Sequence, residues 1–394
     1  MRGLDIPPVE DDFTADPVEL FFDLSYVFAF SQLVYRFVHD PTWSGVGRTA
    51  LLFLLMWIPW SQFHWSANAV SGNSRLVRVW FLVGTVAAIL MGASVVTAYT
   101  TGGPVFALSS MVILAMGLAT MMAGLDPDDP VAASIRSYSV PNWIAMAIVV
   151  AASFLPDPWR TGGWVVAMLV VMVMGMARAG GREWIVRVGH FAERHGLIVI
   201  IALGEVVVAA GLGVAEAFRG DGGEAALPST STLVALAAAG VLAGLLWWSY
   251  FDRPLPAWEH GAEQLDTLPR GAFARDVWSL WHVPIVLGVI MAAAGLEEIT
   301  LHPSDPLPMA FRLLLAAGLV GFLGGIVGGV WRAFRLIGWE RIVALAVIVA
   351  GVVALDVDGL VIILLVDVAL VTMLVVEHVR IQQPGHDEEP LLAG

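Results

Sequence analysis

Apolar residues dominate long stretches of the chain, and short segments rich in polar residues, glycine or proline separate these stretches. Each stretch has roughly the 20 residues that an α-helix needs to cross about 30 Å of hydrocarbon. The pattern therefore predicts an all-α fold, a polytopic integral membrane bundle of about twelve transmembrane helices. The predicted spans are residues 17–38, 48–70, 77–98, 104–123, 140–155, 162–178, 195–215, 232–251, 277–296, 308–330, 340–356 and 359–380.

Composition supports a membrane protein in contact with lipid and excludes several kinds of chemistry. Hydrophobic residues make up 58% of the chain and charged residues 14%, with a mean hydropathy of +0.80. The chain has no cysteine, which excludes disulfides and thiolate sites. It also has no lysine, which excludes a retinal or pyridoxal Schiff base. It shows no Walker loop, so we do not expect ATP-driven transport. Nothing in it is typical of a nucleic-acid surface, and we expect no cofactor.

The distribution of arginine predicts the topology. All 20 basic residues are arginines, and fifteen of them fall at the N-terminus, in the even-numbered loops or at the C-terminal end, against five on the other side. Cytoplasmic loops of membrane proteins carry the excess of positive charge. We therefore expect an even number of spans, both termini in the cytoplasm and a location in the bacterial inner membrane.

The order of the spans suggests two transmembrane halves of six helices each. Residues 17–178 would form the first half and residues 195–380 the second, with a basic cytoplasmic connector at 179–194. An acidic tail at 1–16 and a second tail at 381–394 would lie in the cytoplasm. Because both halves would begin inside, they would be parallel repeats.

The first span contains two carboxylates on one helix face. Glu19 and Asp23 are four residues apart, and Gln32 follows further along the same span. Asp23 lies roughly 9 Å past the start of the span at 1.5 Å per residue. Glu19 could instead act as a cap at the positive end of the helix. Asp23 is deeper, where ionisable residues usually face the bundle interior and mark a functional site.

Three other spans place an ionisable residue four positions after a tryptophan. An aromatic belt at the membrane interface would explain the tryptophans alone. It does not explain the accompanying ionisable residues, which suggest polar groups of one cytoplasmic-side site lined by tryptophan. The residues concerned are Trp57, Trp60 and His64, then Trp248 and Asp252, and then Trp278 and His282.

Glu205 stands near the middle of the seventh span, roughly 15 Å from its start. It lies in an apolar run, where burial penalises the charged form of a carboxyl group. We therefore predict that Glu205 exchanges protons, although a hydrogen-bonded structural role is the alternative. Gly204 beside it would permit close helix approach or a local break. We expect His190, Glu193 and His195, just before this span, to lie on an interfacial segment.

Two long motifs resemble those of the bacterial low temperature requirement A proteins. They are ELFFDLSYVFAFSQLV at 19–34 and RHGLIVIIALGEVVVAAG at 194–211, and WWSYFDR at 247–253 also fits. The resemblance implies a polytopic inner-membrane protein linked by name to growth in the cold, with no established substrate or reaction. Ser25 and Tyr26 are more polar than the family pattern. Positions that match the family motifs are Glu19, Asp23, His195, Glu205, Asp252 and His282.

Three functions fit these observations. A secondary transporter of an unidentified small solute, coupled to protons or another cation, would use the carboxylates within the bilayer. A membrane-embedded enzyme would use Asp23, Asp252, His64 and His282 as acid–base or metal-binding groups, although no close histidine pair of the HxxxH or HExxH kind lies in a span. A non-transporting sensor or stress protein is the third reading, for which we would expect a sizeable soluble output domain. Oligomerisation is compatible with all three.

Overall fold

The computed structural model describes residues 15–68, 75–123, 128, 130–178, 184–219 and 228–382, and every regular element in these residues is a helix. The helices are α1 (Pro17–His39), α2 (Trp43–Ala67), α3 (Arg75–Ser94), α4 (Gly103–Ala123), α5 (Pro130–Ser153), α6 (Trp159–Arg178), α7 (Val188–Arg219), α8 (Thr230–Phe251), α9 (Pro254–Glu263), α10 (Thr267–Phe273), a π-helical turn (Ala274–Leu280), α11 (His282–Leu301), α12 (Met309–Phe334), α13 (Trp339–Ala354) and α14 (Gly359–Ile381).

The long helices confirm the predicted membrane bundle. Twelve of them, α1–α8 and α11–α14, overlap the twelve predicted spans in order. Within the described residues, nine helical stretches are long and apolar enough to cross a membrane by length and composition. The helices α2, α6 and α13 fall short of that standard; α13 has only 16 residues, and α2 carries polar side chains such as Gln62 and His64.

Several predicted boundaries differ from the structure, among them the starts of three helices. α5 begins at Pro130, ten residues before the predicted start, because Pro141 lies inside the helix and does not mark its beginning. α7 begins at Val188 and includes seven residues that we placed in the connector. The ninth span was predicted from residue 277, but α11 begins at His282, after the π-helical turn that contains Trp278.

The described residues group into two compact units. The first unit comprises residues up to 33, 47–197 and 262–279, and the second comprises 34–46, 198–261 and 280 onward. The division into halves at 17–178 and 195–380, and their relation as repeats, stays a prediction.

In the first unit, α3 to α6 pack on one another in chain order. An aromatic cluster fills the space beside α3. The rings of Phe22 and Phe63 stack with centroids 4.4 Å apart, and Phe81 meets Phe63 edge-on at 4.6 Å. Such aromatic pairs add to the packing that holds helices together in a bilayer, where burial alone gives little driving force.

In the second unit, α11 and α12 form the most extensive helix pair. Glycines on both helices let the backbones touch. A Cβ atom on Gly318 would lie 2.6 Å from both the nitrogen of Ala292 and the oxygen of Gly288. Small residues at such crossings are the usual way in which membrane helices pack closely.

The glycine contact gives a stability prediction. Gly318→Ala should destabilise the protein by about 1–3 kcal/mol, because the methyl group would collide with backbone that has no room to move. The matched control is Gly324→Ala on the same helix, where a Cβ would meet no described atom within 4 Å. The measurement is the midpoint of thermal unfolding of the detergent-purified proteins. Equal midpoints for the two variants would contradict the close crossing.

Candidate functional site

The carboxylates of α1 meet basic side chains of α7 in the first unit. Arg194 donates from Nη1 to Oε2 of Glu19 at 2.6 Å and from Nη2 to Oδ1 of Asp23 at 2.8 Å. Nε2 of His190 lies 2.9 Å from the same Oε2 of Glu19. The spacing of four residues on each helix puts the two acids on one face and His190 and Arg194 on the facing one. One guanidinium therefore bridges two carboxylates.

All four of these side chains are fully buried, with 0% exposure. Moving such charges out of water costs several kcal/mol each, and only close pairing and hydrogen bonds offset that cost. The backbone N–H of Asp16 donates to Oε1 of Glu19 at 3.4 Å. One oxygen of Glu19 thus accepts a hydrogen bond at the start of α1, and the other oxygen pairs with His190 and Arg194.

The helix α2 closes the cluster with an indole and an imidazole. Nε1 of Trp60 donates to Oδ1 of Asp23 at 2.9 Å. The ring of His64 stacks on Trp60 with centroids 5.6 Å apart. The His64 ring also lies parallel to the His190 ring at 5.8 Å and meets His195 edge-on at 4.5 Å. The imidazole of His190 therefore contacts a bridged carboxylate directly, and those of His64 and His195 join the group through ring contacts. We call the seven residues the ion–imidazole cluster (Glu19, Asp23, Trp60, His64, His190, Arg194 and His195).

The formal charges in the ion–imidazole cluster do not balance. Two carboxylates face one guanidinium, so the cluster carries −1 when its three imidazoles are neutral and zero when it has bound one proton. Among the described residues, Oδ2 of Asp23 and Nε of Arg194 have no hydrogen-bond partner although both atoms are buried. The cluster therefore has one carboxylate more than it has guanidiniums, and it holds a polar oxygen and an N–H without a hydrogen-bond partner among these residues.

Two tryptophans that we predicted to line the site, Trp57 and Trp278, lie where the π-helical turn packs beside the cluster. Nε1 of Trp57 donates to the carbonyl oxygen of Ser279 at 3.0 Å. Trp278 is fully buried and packs against Phe191, whose ring centroid is 5.5 Å away. Gln32, the remaining predicted lining residue of this unit, is half-buried on α1 and makes none of the hydrogen bonds described for the cluster.

The other predicted residues lie in the second unit. His282 is fully buried, and its Nε2 is 2.6 Å from the hydroxyl of Tyr250. Asp252 is 43% exposed and pairs with Arg253 at 3.3 Å, and Trp248 is 53% exposed. Within this unit, then, the histidine is enclosed whereas the aspartate and tryptophan are at the surface.

Glu205 is buried in the second unit, with 1% exposure. The expected role of the neighbouring Gly204 is wrong on both counts. α7 runs unbroken from Val188 to Arg219, and a Cβ on Gly204 would meet no described atom within 4 Å. The glycine faces open space on the outside of the helix, so no close approach depends on it.

Sequence reasoning missed three members of the cluster. We expected His190 and His195 on an interfacial segment, and we counted Arg194 as one more cytoplasmic arginine, but the structure buries all three completely. A usable signal was present. His190 and Arg194 repeat the four-residue spacing of Glu19 and Asp23 with basic groups in place of acidic ones, which is how two facing helices pair charges.

Comparison with known proteins places the chain in a family. The sequence model of the bacterial low temperature requirement A protein (LtrA) matches residues 14–376. The chain belongs to the LtrA family. An uncharacterized protein of Rhizobium meliloti is 25% identical over 352 residues, which cover 84% of this chain and 81% of that protein. No solved structure matches the chain. The whole ion–imidazole cluster lies within the part that matches LtrA.

Among the described residues, no group of three His, Asp or Glu side chains is placed to hold one metal ion. In the cluster, Arg194 occupies the position between the two carboxylates that a cation would need. The arrangement is thus suited to pairing charges and binding protons.

Removing the positive charge of Arg194 should lower the stability of the folded protein. Arg194→Gln should lower stability by about 3–5 kcal/mol, because it leaves two buried carboxylates facing each other without compensation. The triple variant Glu19→Gln, Asp23→Asn, Arg194→Gln removes all three charges and should recover much of that loss. Midpoints of thermal unfolding in detergent would compare them.

The matched control for this stability test is Arg48→Gln. Arg48 is 37% exposed and pairs with Asp157 at 3.6 Å, and an exposed pair of this kind contributes about 1 kcal/mol or less. If Arg194→Gln behaves like Arg48→Gln, or if the triple variant is no more stable than the single one, the buried bridge does not hold the first unit together.

Proposed function

We propose that this LtrA-family protein is a secondary transporter that couples movement of a small solute to protons or another cation. The observation that supports this most directly is the fully buried ion–imidazole cluster, whose charge of −1 one proton neutralises. Buried ionisable groups in membrane bundles are costly, and they commonly mark proton relays and substrate pathways.

Proton binding to the cluster would act through Arg194. With both carboxylates ionised, the guanidinium is held by Glu19 and Asp23. A proton taken up by a carboxyl group, or by an adjoining imidazole, changes how strongly Arg194 is held and so shifts the balance between two conformations. Asp23 would then offer its second oxygen to the solute. Coupling follows because solute and proton bind to the same group of side chains.

The remaining predicted residues have secondary roles in this proposal. Glu205 would be a further proton-exchanging group, and His64, His282 and Asp252 would be polar partners of proton or solute. Tryptophan side chains offer large faces for stacking on a solute or for contact with a cation. The proposed lining residues are Gln32, Trp57, Trp60, Trp248 and Trp278.

We place both termini in the cytoplasm and the protein in the inner membrane, on the fifteen-to-five distribution of arginines. Three of the five arginines on the minority side have local structural roles. Arg160 donates to the carbonyl oxygens of Ala98 and Thr100, Arg312 pairs with Asp356, and Arg48 lies over the ring of Tyr99. Their presence on that side thus has a packing reason.

The topology can be tested directly because the chain has no cysteine. Ser304→Cys, in the exposed turn before α12, should react with a membrane-impermeant maleimide on intact spheroplasts. Gln264→Cys, exposed between α9 and α10, should react only after lysis. The reverse pattern, or equal labelling of the two variants before lysis, would contradict cytoplasmic termini.

Transport is tested by proton flux in liposomes that contain purified protein and an internal pH-sensitive dye. Cations and small solutes are added in turn. We expect one class of addition to drive proton movement, and we expect Asp23→Asn and Glu205→Gln to reduce it to the level of empty vesicles while both variants remain abundant and inserted.

The control variant for the flux assay is Asp305→Asn, because the side chain of Asp305 is 74% exposed in a turn. It should transport like the wild type. Silence of folded wild-type protein across a broad panel would contradict transport. Degradation of Glu205→Gln with normal flux in a stabilised background would show that Glu205 is structural and has no part in proton exchange.

A further inference from the structure

A cleft in the second unit combines arginines with apolar walls. It lies where α12 ends, α13 begins and α14 ends, beside the junction of α8 and α9, and its volume is about 80 Å³. Arg253, Arg341 and Arg380 line it together with one carboxylate, Glu377. A larger hollow of about 360 Å³ shares Arg253, Arg341 and Glu377 with the cleft and extends to Trp248. We call the two together the arginine cleft.

The arginine at the back of this cleft is rigidly held. Arg341 is only 5% exposed, donates to the carbonyl oxygen of Ser249 at 2.9 Å and forms three hydrogen bonds to Glu377 at 3.1, 3.2 and 3.3 Å. Arg253 and Arg380 stand further out, with 22% and 33% of their side chains exposed. Arg341 at the back of the cleft is thus held in place, whereas Arg253 and Arg380 at the rim are more exposed. This arrangement suits an anionic group that enters from outside.

The charge of this region favours an anion. Asp252 pairs with Arg253, and Glu340 pairs with Arg380. Among the residues that line the arginine cleft, three guanidinium groups stand against two carboxylates, Asp252 and Glu377, which leaves a formal charge of +1.

The surroundings of the cleft are those of the membrane interface. Val327, Val330 and Phe334 form its apolar wall. Large exposed aromatic side chains lie at the same helix ends: Trp248, Trp331 and Trp339 are 53%, 45% and 65% exposed. Amphipathic rings of this kind sit at the headgroup level of a bilayer. Below them, α13 and α14 expose valines such as Val343 and Val375.

We propose that the arginine cleft binds the headgroup of an anionic phospholipid. The phosphodiester would lie between Arg253, Arg341 and Arg380, and the acyl chains would run along the exposed apolar faces of α13 and α14. Basic pockets between membrane helices hold anionic headgroups in this way, and guanidinium forks match phosphate oxygens. This site is separate from the ion–imidazole cluster and does not depend on transport.

The test is binding of phosphatidylglycerol to the purified full-length protein, followed by mass spectrometry of the intact protein–lipid complex. Phosphatidylcholine is the zwitterionic comparison. We expect phosphatidylglycerol to bind selectively, and binding should weaken roughly fivefold for each of Arg253→Gln and Arg380→Gln and roughly thirtyfold for the double variant. Glu340→Gln, which removes the partner of Arg380, should bind more tightly than the wild type.

Arg48→Gln is the matched control, since Arg48 is also a partly exposed, paired arginine but belongs to the first unit. It should bind phosphatidylglycerol like the wild type. Equal binding of the two lipids, or an unchanged affinity in the double variant, would overturn the proposal. If inorganic phosphate binds to the purified protein as tightly as the lipid does, the proposal is also overturned, and a soluble phosphate is the ligand. Should the double variant fail to fold, an unchanged affinity in Glu340→Gln would overturn it too.

Discussion

Arg194 determines how much charge the first unit can bury. A carboxylate enclosed by protein inside a membrane loses its hydration, and attraction to a nearby cation must replace it. Arg194 does this twice, through Nη1 to Glu19 and through Nη2 to Asp23. Because the three residues come from α1 and α7, the ion bridge also fixes these two helices against each other at this level, and any movement between them must break or re-form a charged hydrogen bond.

That constraint explains why polar groups gather at one place. Where α1 and α7 are joined, the N–H of Trp60 on α2 gives Oδ1 of Asp23 a second donor, and the ring of His64 lies parallel to those of Trp60 and His190. Among the described residues, one buried oxygen of Asp23 and one buried nitrogen of Arg194 in this arrangement have no hydrogen-bond partner. A site of this kind holds helices together while its charges are paired.

The sequence predicted the helices well because bilayer thickness sets their length. The twelve spans overlap twelve helices, and Glu19 and Asp23 share a helix face as expected. Contacts between distant segments could not be read in the same way. Arg194 pairs with residues 171 and 175 positions away, and an arginine before an apolar run is typical of a cytoplasmic helix end. Near Arg194, only its four-residue spacing from His190, which matches that of Glu19 and Asp23, favours a buried ion pair.

The contacts of the buried arginines give a structural reason for the absence of lysine from the chain. Arg160 donates from Nε to the carbonyl oxygen of Leu155 and from Nη1 to that of Ala98, Arg194 divides its two Nη atoms between two acids, and Arg341 holds a carbonyl and a carboxylate at once. Each uses the planar fork of the guanidinium to satisfy acceptors that come from separate helices or loops. A lysine ammonium is a point charge with tetrahedral donors and loses its proton more readily when buried, so it would not preserve these geometries. These buried arginines therefore provide a positive charge and also join separate segments of the backbone through several directed N–H donors. Arginine is the one side chain that supplies both.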